Sequence, residues 1–313
     1  MTRPSTSELV ALLLTQRLVD TAAPPLKASE FWSIVESVAD LGALLGRGPD
    51  EVSKTAHVDA STGARIVALL DAATSFAFAL DDAQQSGLRV MSGLSEDFPG
   101  VLKERLGRAA PPVLYALGDV GLLGRPALGV VGSRAVSDAG ANACREAAAA
   151  AVAAGFGVVS GGAKGVDRLA MNAALEAGGQ LVGVLADSLL RTAREAEVRR
   201  AVSDGMVCLC SPYKPTAGFT VANAMGRNKL IYALSVATLV VECEEGSGGS
   251  WAGAVEALRA RTAPVLAWTG DGASPGNLAL VQRGACAVDQ IERLFPLPSV
   301  DASSTPGQLA LGL

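Results

Sequence analysis

Aromatic residues make up only 4% of the protein, and histidine occurs once, at His57. Imidazole-based chemistry is therefore not expected in the main part of the molecule, and His57 is expected on the surface of a small helical region. The five cysteines, Cys144, Cys208, Cys210, Cys243 and Cys286, form no Cys-x-x-Cys pair, and each lies in or beside an apolar segment. They read as reduced core thiols. A zinc site needs clustered ligands, so no metal is expected, and no cofactor either. Apolar runs such as residues 147–154 fall far short of the ~20 residues that span a bilayer. Residues 1–8 lack a basic start followed by an apolar core. No signal peptide and no membrane association are expected, and a cytoplasmic location is.

What the sequence has in quantity is small and aliphatic. Half of its 313 residues are hydrophobic, and 35 are glycine. A core of that kind is built from aliphatic groups and close backbone contacts, as in a sheet covered by helices. The net charge of −5 is unfavourable for a nucleic-acid binder, but it is unevenly spread. Residues 101–230 hold 15 Lys and Arg against 10 Asp and Glu, a balance of +5, and the remainder carries −10. A basic central segment can present a phosphate-binding face inside an acidic protein. Arg191, Arg194, Arg199 and Arg200, which alternate with Glu195 and Glu197, read as a solvated helix face.

The first part, residues 1–95, carries apolar residues at helical spacing over 7–17, 28–41, 61–72 and 74–86, with a breaker at Gly46-Arg-Gly-Pro49. It reads as a small all-helical domain. Residues 96–126 lead onward through Phe98-Pro99 and Pro111-Pro112. From Ala127 short apolar runs alternate with helical stretches. The runs are 127–131, 157–159, 181–185, 206–209, 238–241 and 265–268; the helices are 138–154, 165–177, 193–203, 220–234 and 250–261. Fully apolar strands separated by helices predict an α/β fold, an extended Rossmann-like, doubly wound, mostly parallel sheet over residues 96–298. Ligands of such folds sit beyond the carboxyl ends of the strands. Residues 299–313 read as a flexible tail.

Three segments can hold phosphates. In Gly129-Val-Val-Gly-Ser-Arg134 a strand runs into Gly132, Ser133 and Arg134 just before a helix. Ser133 and free N–H groups near that helix start can hold a phosphate oxygen, with Arg134 as a bidentate fork. A tight turn with a solvated arginine is the competing reading, and this is not the G-x-G-x-x-G fingerprint of dinucleotide enzymes. In Ser160-Gly-Gly-Ala-Lys-Gly-Val-Asp167, the residues Ser160, Gly161, Gly162 and Lys164 form a second glycine-rich turn with a cation. Asp167 there is either a helix-start carboxylate or a partner that orients Lys164 or Arg134. The third segment carries Phe219, Arg227, Asn228 and Lys229. A cationic groove with an aromatic is what single-strand binding needs, whereas the plain alternative for Phe219 is core packing.

Taken in order, these segments resemble the DprA family of DNA-processing proteins, also called Smf. The resemblance runs from about Asp97 to Phe295 and includes Pro111-Pro-Val-Leu-Tyr-Ala-Leu-Gly-Asp119, Gly-Ser-Arg134, the 160–167 loop, Phe219 with Arg227-Asn-Lys-Leu-Ile231, Leu239-Val-Val-Glu242, Gly249-Ser250 and Gly276-Asn277. It implies a non-catalytic protein that binds single-stranded DNA, forms a homodimer and hands the strand to the RecA recombinase. The contacts it implies are Gly132, Ser133, Arg134, Lys164, Phe219, Arg227, Asn228 and Lys229. Three positions depart from the pattern. Lys164 stands for an arginine, Met171 for a histidine, and Gly253 for a small hydroxyl residue. The winged-helix module of many members is not expected after Phe295.

The last six residues, Gln308-Leu-Ala-Leu-Gly-Leu313, resemble a bacterial sliding-clamp-binding peptide. Gln308 supplies a directional hydrogen bond, and Leu309, Leu311 and Leu313 enter apolar pockets. Two other functions compete with a DNA-binding accessory role: a nucleotide-binding sensor, and a hydrolase of the nucleotide N-glycosidic bond. Glu245-Gly-Ser-Gly-Gly-Ser-Trp251 is the segment nearest to a hydrolase loop, and it lacks that loop's proline and Gly-Thr.

Overall fold

The computed structural model describes residues 4–297. The tail and its residues Gln308, Leu309, Leu311 and Leu313 lie outside the described residues. The molecule divides into two compact units. The first runs to Leu117 and takes in Ser211–Ala217; the second comprises Gly118–Cys210 and everything from Gly218 onward.

In the first unit, helices α1 (Thr6–Thr15), α2 (Ala28–Ser37), α3 (Pro49–Ala56), α4 (Ala60–Leu70), α5 (Ala73–Gln85) and α6 (Gly100–Leu106) accompany an antiparallel pair, β1 (Arg89–Ser92) and β2 (Val113–Gly118). Leu14, Phe31, Trp32, Ile66 and Tyr115 are fully buried. Trp32 Nε1 donates to the Ala110 carbonyl at 2.8 Å. Arg65 on α4 donates to both Glu30 oxygens on α2 and to the carbonyls of Pro24 and Pro25. His57 ends α3 in the left-handed region, φ 53°, and is exposed. Among the described residues no single helix is long and apolar enough to cross a membrane; α4 and α5 reach that length only together, across a 55° bend.

The second unit holds β3 (Ala127–Val131), β4 (Gly157–Ser160), β5 (Leu181–Val184), β6 (Val207–Ser211), β7 (Ala237–Val240), β8 (Val265–Trp268) and β9 (Cys286–Val288). All seven are parallel, in the order β6-β5-β4-β3-β7-β8-β9. Its helices are α7 (Asp138–Ala153), α8 (Val166–Glu176), α9 (Leu189–Thr192), α10 (Ala196–Ser203), α11 (Val221–Leu234), α12 (Gly248–Ala260) and α13 (Pro275–Gln282). Every residue of β3, β5, β6, β7 and β8 is buried, as expected of strands covered on both faces. Helices α7 and α8 pack together, and α11 packs on α12. From β3 the backbone steps outward through β4, β5 and β6, then returns to β7 on the other side of β3. Right-handed crossovers then place α7 and α8 on one face and α11, α12 and α13 on the other. The order reverses between β3 and β7, so the crevice at their carboxyl ends is the switch point where this architecture admits ligands.

Cys144, Cys208, Cys210 and Cys243 are buried and Cys286 is partly buried; all five are free. Burial pushes the Cys208 thiol up to about 12.

Candidate nucleic-acid interface

A cavity of about 400 Å³ opens at the switch point. Its walls come from the segments that follow β3, β4 and β7 and from the first turns of α11 and α12. Arg134, Asp167, Phe219, Arg227, Asn228 and Gly249 are among its lining residues.

The mouth is made by Phe219 and Arg134. Phe219 is 50% exposed, so it is not a core residue. The Arg134 guanidinium lies over its ring, 5.2 Å from the centroid, a cation–π arrangement. Val221 and Met225 on α11 extend this apolar surface, 71% and 39% exposed. Neither is legible as a site residue in the sequence, because each sits at an ordinary helical position.

The floor is a buried ion pair. Arg227 Nη1 donates to Asp167 Oδ2 at 3.3 Å, and both residues are almost wholly buried. The backbones of Ala163 and Gly132 hydrogen-bond the same carboxylate. Asp167 thereby joins the loops after β3 and β4 to α11. Burial pushes its carboxyl up, against the pull of the Arg227 guanidinium. Asp167 thus engages Arg227, not Lys164 or Arg134. The glycine at 161 follows from this packing, because a Cβ there would lie 1.3 Å from Arg227 Nη1. Gly162 turns the loop with φ +67°.

Of the residues expected as phosphate contacts, Gly132 and Ser133 line the cavity, Ser160, Lys164 and Lys229 do not, and several have their polar groups engaged. The Ser160 hydroxyl is fully buried and donates to the Val130 carbonyl at 2.7 Å, so it bonds across the sheet and not into the cavity. The Ser133 N–H donates to the Glu242 carbonyl, and its hydroxyl bonds Ala135. Gly132 is pressed against α8, where a Cβ would meet Val166 Cγ2 at 2.6 Å. Lys229 is outside the cavity lining, and its ammonium lies 2.8 Å from Glu256 of α12. Lys164 is exposed on the turn that follows β4 and is likewise not part of the lining.

The helix end open to an anion also differs from the expected one. The start of α7 is already occupied: Ser137 Oγ accepts from Gly140 N, and the Glu242 carboxylate accepts from Ser137 N and Oγ at 3.0 and 2.7 Å. At α12, by contrast, Ser247 makes no side-chain capping bond, and Gly248, Gly249 and Ser250 line the cavity. An uncapped helix start leaves N–H groups and a positive dipole end for an anion. Ser250 Oγ donates to the Gly132 carbonyl, and Asn228 Nδ2 to the Gly249 carbonyl. These two bonds fix the α12 start to the other walls. The segment that makes a poor hydrolase loop therefore supplies a wall of the site.

A parallel sheet that opens a cavity at its switch point puts the second unit among the Rossmann-like α/β domains. The family model for DNA recombination-mediator protein A matches residues 89–297. The protein belongs to that family. It is 31% identical over 180 residues to Protein Smf of Synechocystis sp., a match covering 43% of that relative and 54% of the present sequence. It thus spans less than half the length of that relative. DNA processing protein A of Streptococcus pneumoniae has a similar fold, with a TM-score of 0.72 at 22% identity, covering 99% of that structure and 95% of this one. A structure of DNA processing protein A from Helicobacter pylori, which concerns its single-stranded DNA binding mode, superposes with a TM-score of 0.53 at 22% identity. That match covers 93% of the Helicobacter structure and 66% of this one.

Proposed function

We propose that the cavity binds single-stranded DNA and that the protein acts as a non-catalytic accessory in DNA processing or recombination. The carrying observation is the half-exposed Phe219 ring with Arg134 stacked over it at the cavity mouth. Such a pair offers a base a π-face and a phosphate a fork, with no preference among bases. The uncapped start of α12 gives one more phosphate position. The Helicobacter pylori relative binds single-stranded DNA, which supports the same reading here. Asp167 is held by Arg227 and two backbone groups, so it does not act as a free general base, and this favours binding over hydrolysis. Transfer of the strand to a RecA recombinase and homodimer formation rest on the family alone.

Arg134→Ala, and separately Lys164→Ala, is expected to lower single-strand affinity whatever the sequence. Each change should reduce the slope of log K against log salt by about one unit, read by fluorescence anisotropy at several salt concentrations. Unchanged binding by the double variant removes the pocket assignment.

A cavity of this size also accommodates a mononucleotide, which keeps a nucleotide sensor as the second reading. Tight mononucleotide binding with little salt dependence favours the sensor. The tail is proposed to bind the sliding clamp through Gln308, Leu309, Leu311 and Leu313. Deleting residues 308–313 is expected to leave DNA binding intact and to end clamp association in a pull-down; equal clamp binding by the truncated protein ends that proposal.

A further inference from the structure

The lining of the cavity carries Arg134 and Arg227 against Asp167 and Glu244, so its formal charges cancel. Arg227 is further neutralised by its buried pair with Asp167. Such a cavity accepts a base or a single phosphate group at Arg134, and it supplies only a small part of the sequence-independent attraction of a strand, which grows with each phosphate contacted. The further cations that can supply it lie outside the cavity.

The sheet order shows where. Helices α9 and α10 follow β5, and β5 is the neighbour of β4 on the side away from β3 and β7. Their segment therefore starts at the same carboxyl edge as the cavity and flanks it opposite the α12 side. Arg168, in the first turn of α8, has Nη2 4.0 Å from Glu195 Oε2. That contact sets the α9–α10 connection beside the helix that begins just after Lys164. Lys164, Arg168, Arg194, Arg199 and Arg200 are all exposed.

Alternating signs on an ordinary solvated helix face close into pairs three or four residues apart. Arg191 does close onto Asp187 at 3.6 Å, but among the described residues neither Glu195 with Arg199 nor Glu197 with Arg200, which have that spacing, forms an ion pair. Among the described residues Arg194, Arg199 and Arg200 make no ion pair. Arg168 has only the long, exposed contact with Glu195, a kind worth little. Helix α10 spans eight residues, about 12 Å, and leads from the carboxyl edge of β5 back towards the start of β6.

We infer that Lys164, Arg168 and the arginines of α10 and its approach form a phosphate-tracking ridge, which carries a nucleic-acid strand away from the cavity on the β5 side. The ridge rests on the single-strand reading of the cavity. Glu195 and Glu197 interrupt it, so it attracts the strand through salt-sensitive, sequence-independent contacts and holds no fixed register.

The test uses the full-length protein and two labelled oligo-dT strands, ~5 and ~20 nucleotides long, titrated by anisotropy at several salt concentrations. The wild type is expected to bind the longer strand more tightly and with a steeper salt slope. The triple variant Arg194→Ala, Arg199→Ala, Arg200→Ala is expected to bind the short strand as the wild type does. On the long strand it should lose about tenfold or more in affinity and about two units of salt slope. The triple lysine variant keeps charge at these positions and is expected to restore most of both. A triple alanine variant that matches the wild type on the long strand overturns the ridge and leaves the cavity reading intact. A lysine variant as weak as the alanine variant also overturns it, because the loss is then not one of charge. Absence of wild-type binding to either strand at low salt overturns the cavity reading as well.

Discussion

Asp167→Ala is expected to lower the unfolding free energy by about 3–5 kcal/mol. The carboxylate is buried, accepts from Arg227 Nη1 and is bonded by the backbones of Gly132 and Ala163. Alanine leaves a nearly buried guanidinium without its counter-charge, and Arg227 Nε already lacks a hydrogen-bond partner. It also releases two of the loops that shape the cavity, so single-strand binding falls with stability. The midpoint of urea unfolding measures the first effect and anisotropy the second. The double variant Asp167→Leu, Arg227→Met removes both charges and fills the space with apolar atoms of similar size. Much of the lost stability should return, because a buried pair often contributes little over a well-packed apolar replacement. An Asp167→Ala protein as stable as the wild type would show that the pair does not hold the loops together.

Phe219→Ala should have the opposite profile: little change in stability and a large loss of binding. The ring is half exposed, so its removal leaves no buried cavity. Stacking of a base on an aromatic contributes about 1–3 kcal/mol, which corresponds to a loss of roughly 5- to 150-fold in single-strand affinity. Phe219→Trp keeps a π-face under Arg134 and is expected to retain most of the affinity. Thermal unfolding and anisotropy on the same preparations separate the two effects. Equal affinity in the alanine variant would mean that the ring does not meet a base.

What the sequence makes readable follows from what each feature depends on. Strands β3 to β8 are uninterrupted apolar runs between helices, and buried parallel strands need no more than that. Strand β2 follows Pro111-Pro112 and reads as part of a lead-in, whereas β9 has three residues, too few to show a pattern. Pro49 reads as a breaker, yet it opens α3, because an N–H at the first helical position makes no intrahelical bond that proline could remove. The stretch that reads as a helix over 193–203 begins in the break after α9 and is otherwise α10, while the four-residue α9 shows no pattern of its own.

At the site, Arg134, Phe219 and Asn228 are legible because a cation, an aromatic and an amide near strand ends have few structural reasons to be there. What is not legible depends on partners distant in sequence. Arg227 and Asp167 are 60 residues apart, and Ser137 and Glu242 are 105 apart. No local pattern shows that Glu242 fills the start of α7 and leaves α12 as the open helix end. Ser160 and Lys229 carry the right functional groups, and only packing shows that one bonds across the sheet and the other across to α12.

The most direct test of the cavity reading is an anisotropy titration of a labelled single strand of ~35 nucleotides at several salt concentrations, with duplex as competitor. Preferential single-strand binding is expected, weakening linearly in log salt and losing strength in the Phe219→Ala and Arg134→Ala proteins. No binding at low salt, or binding that both variants leave untouched, would contradict the account.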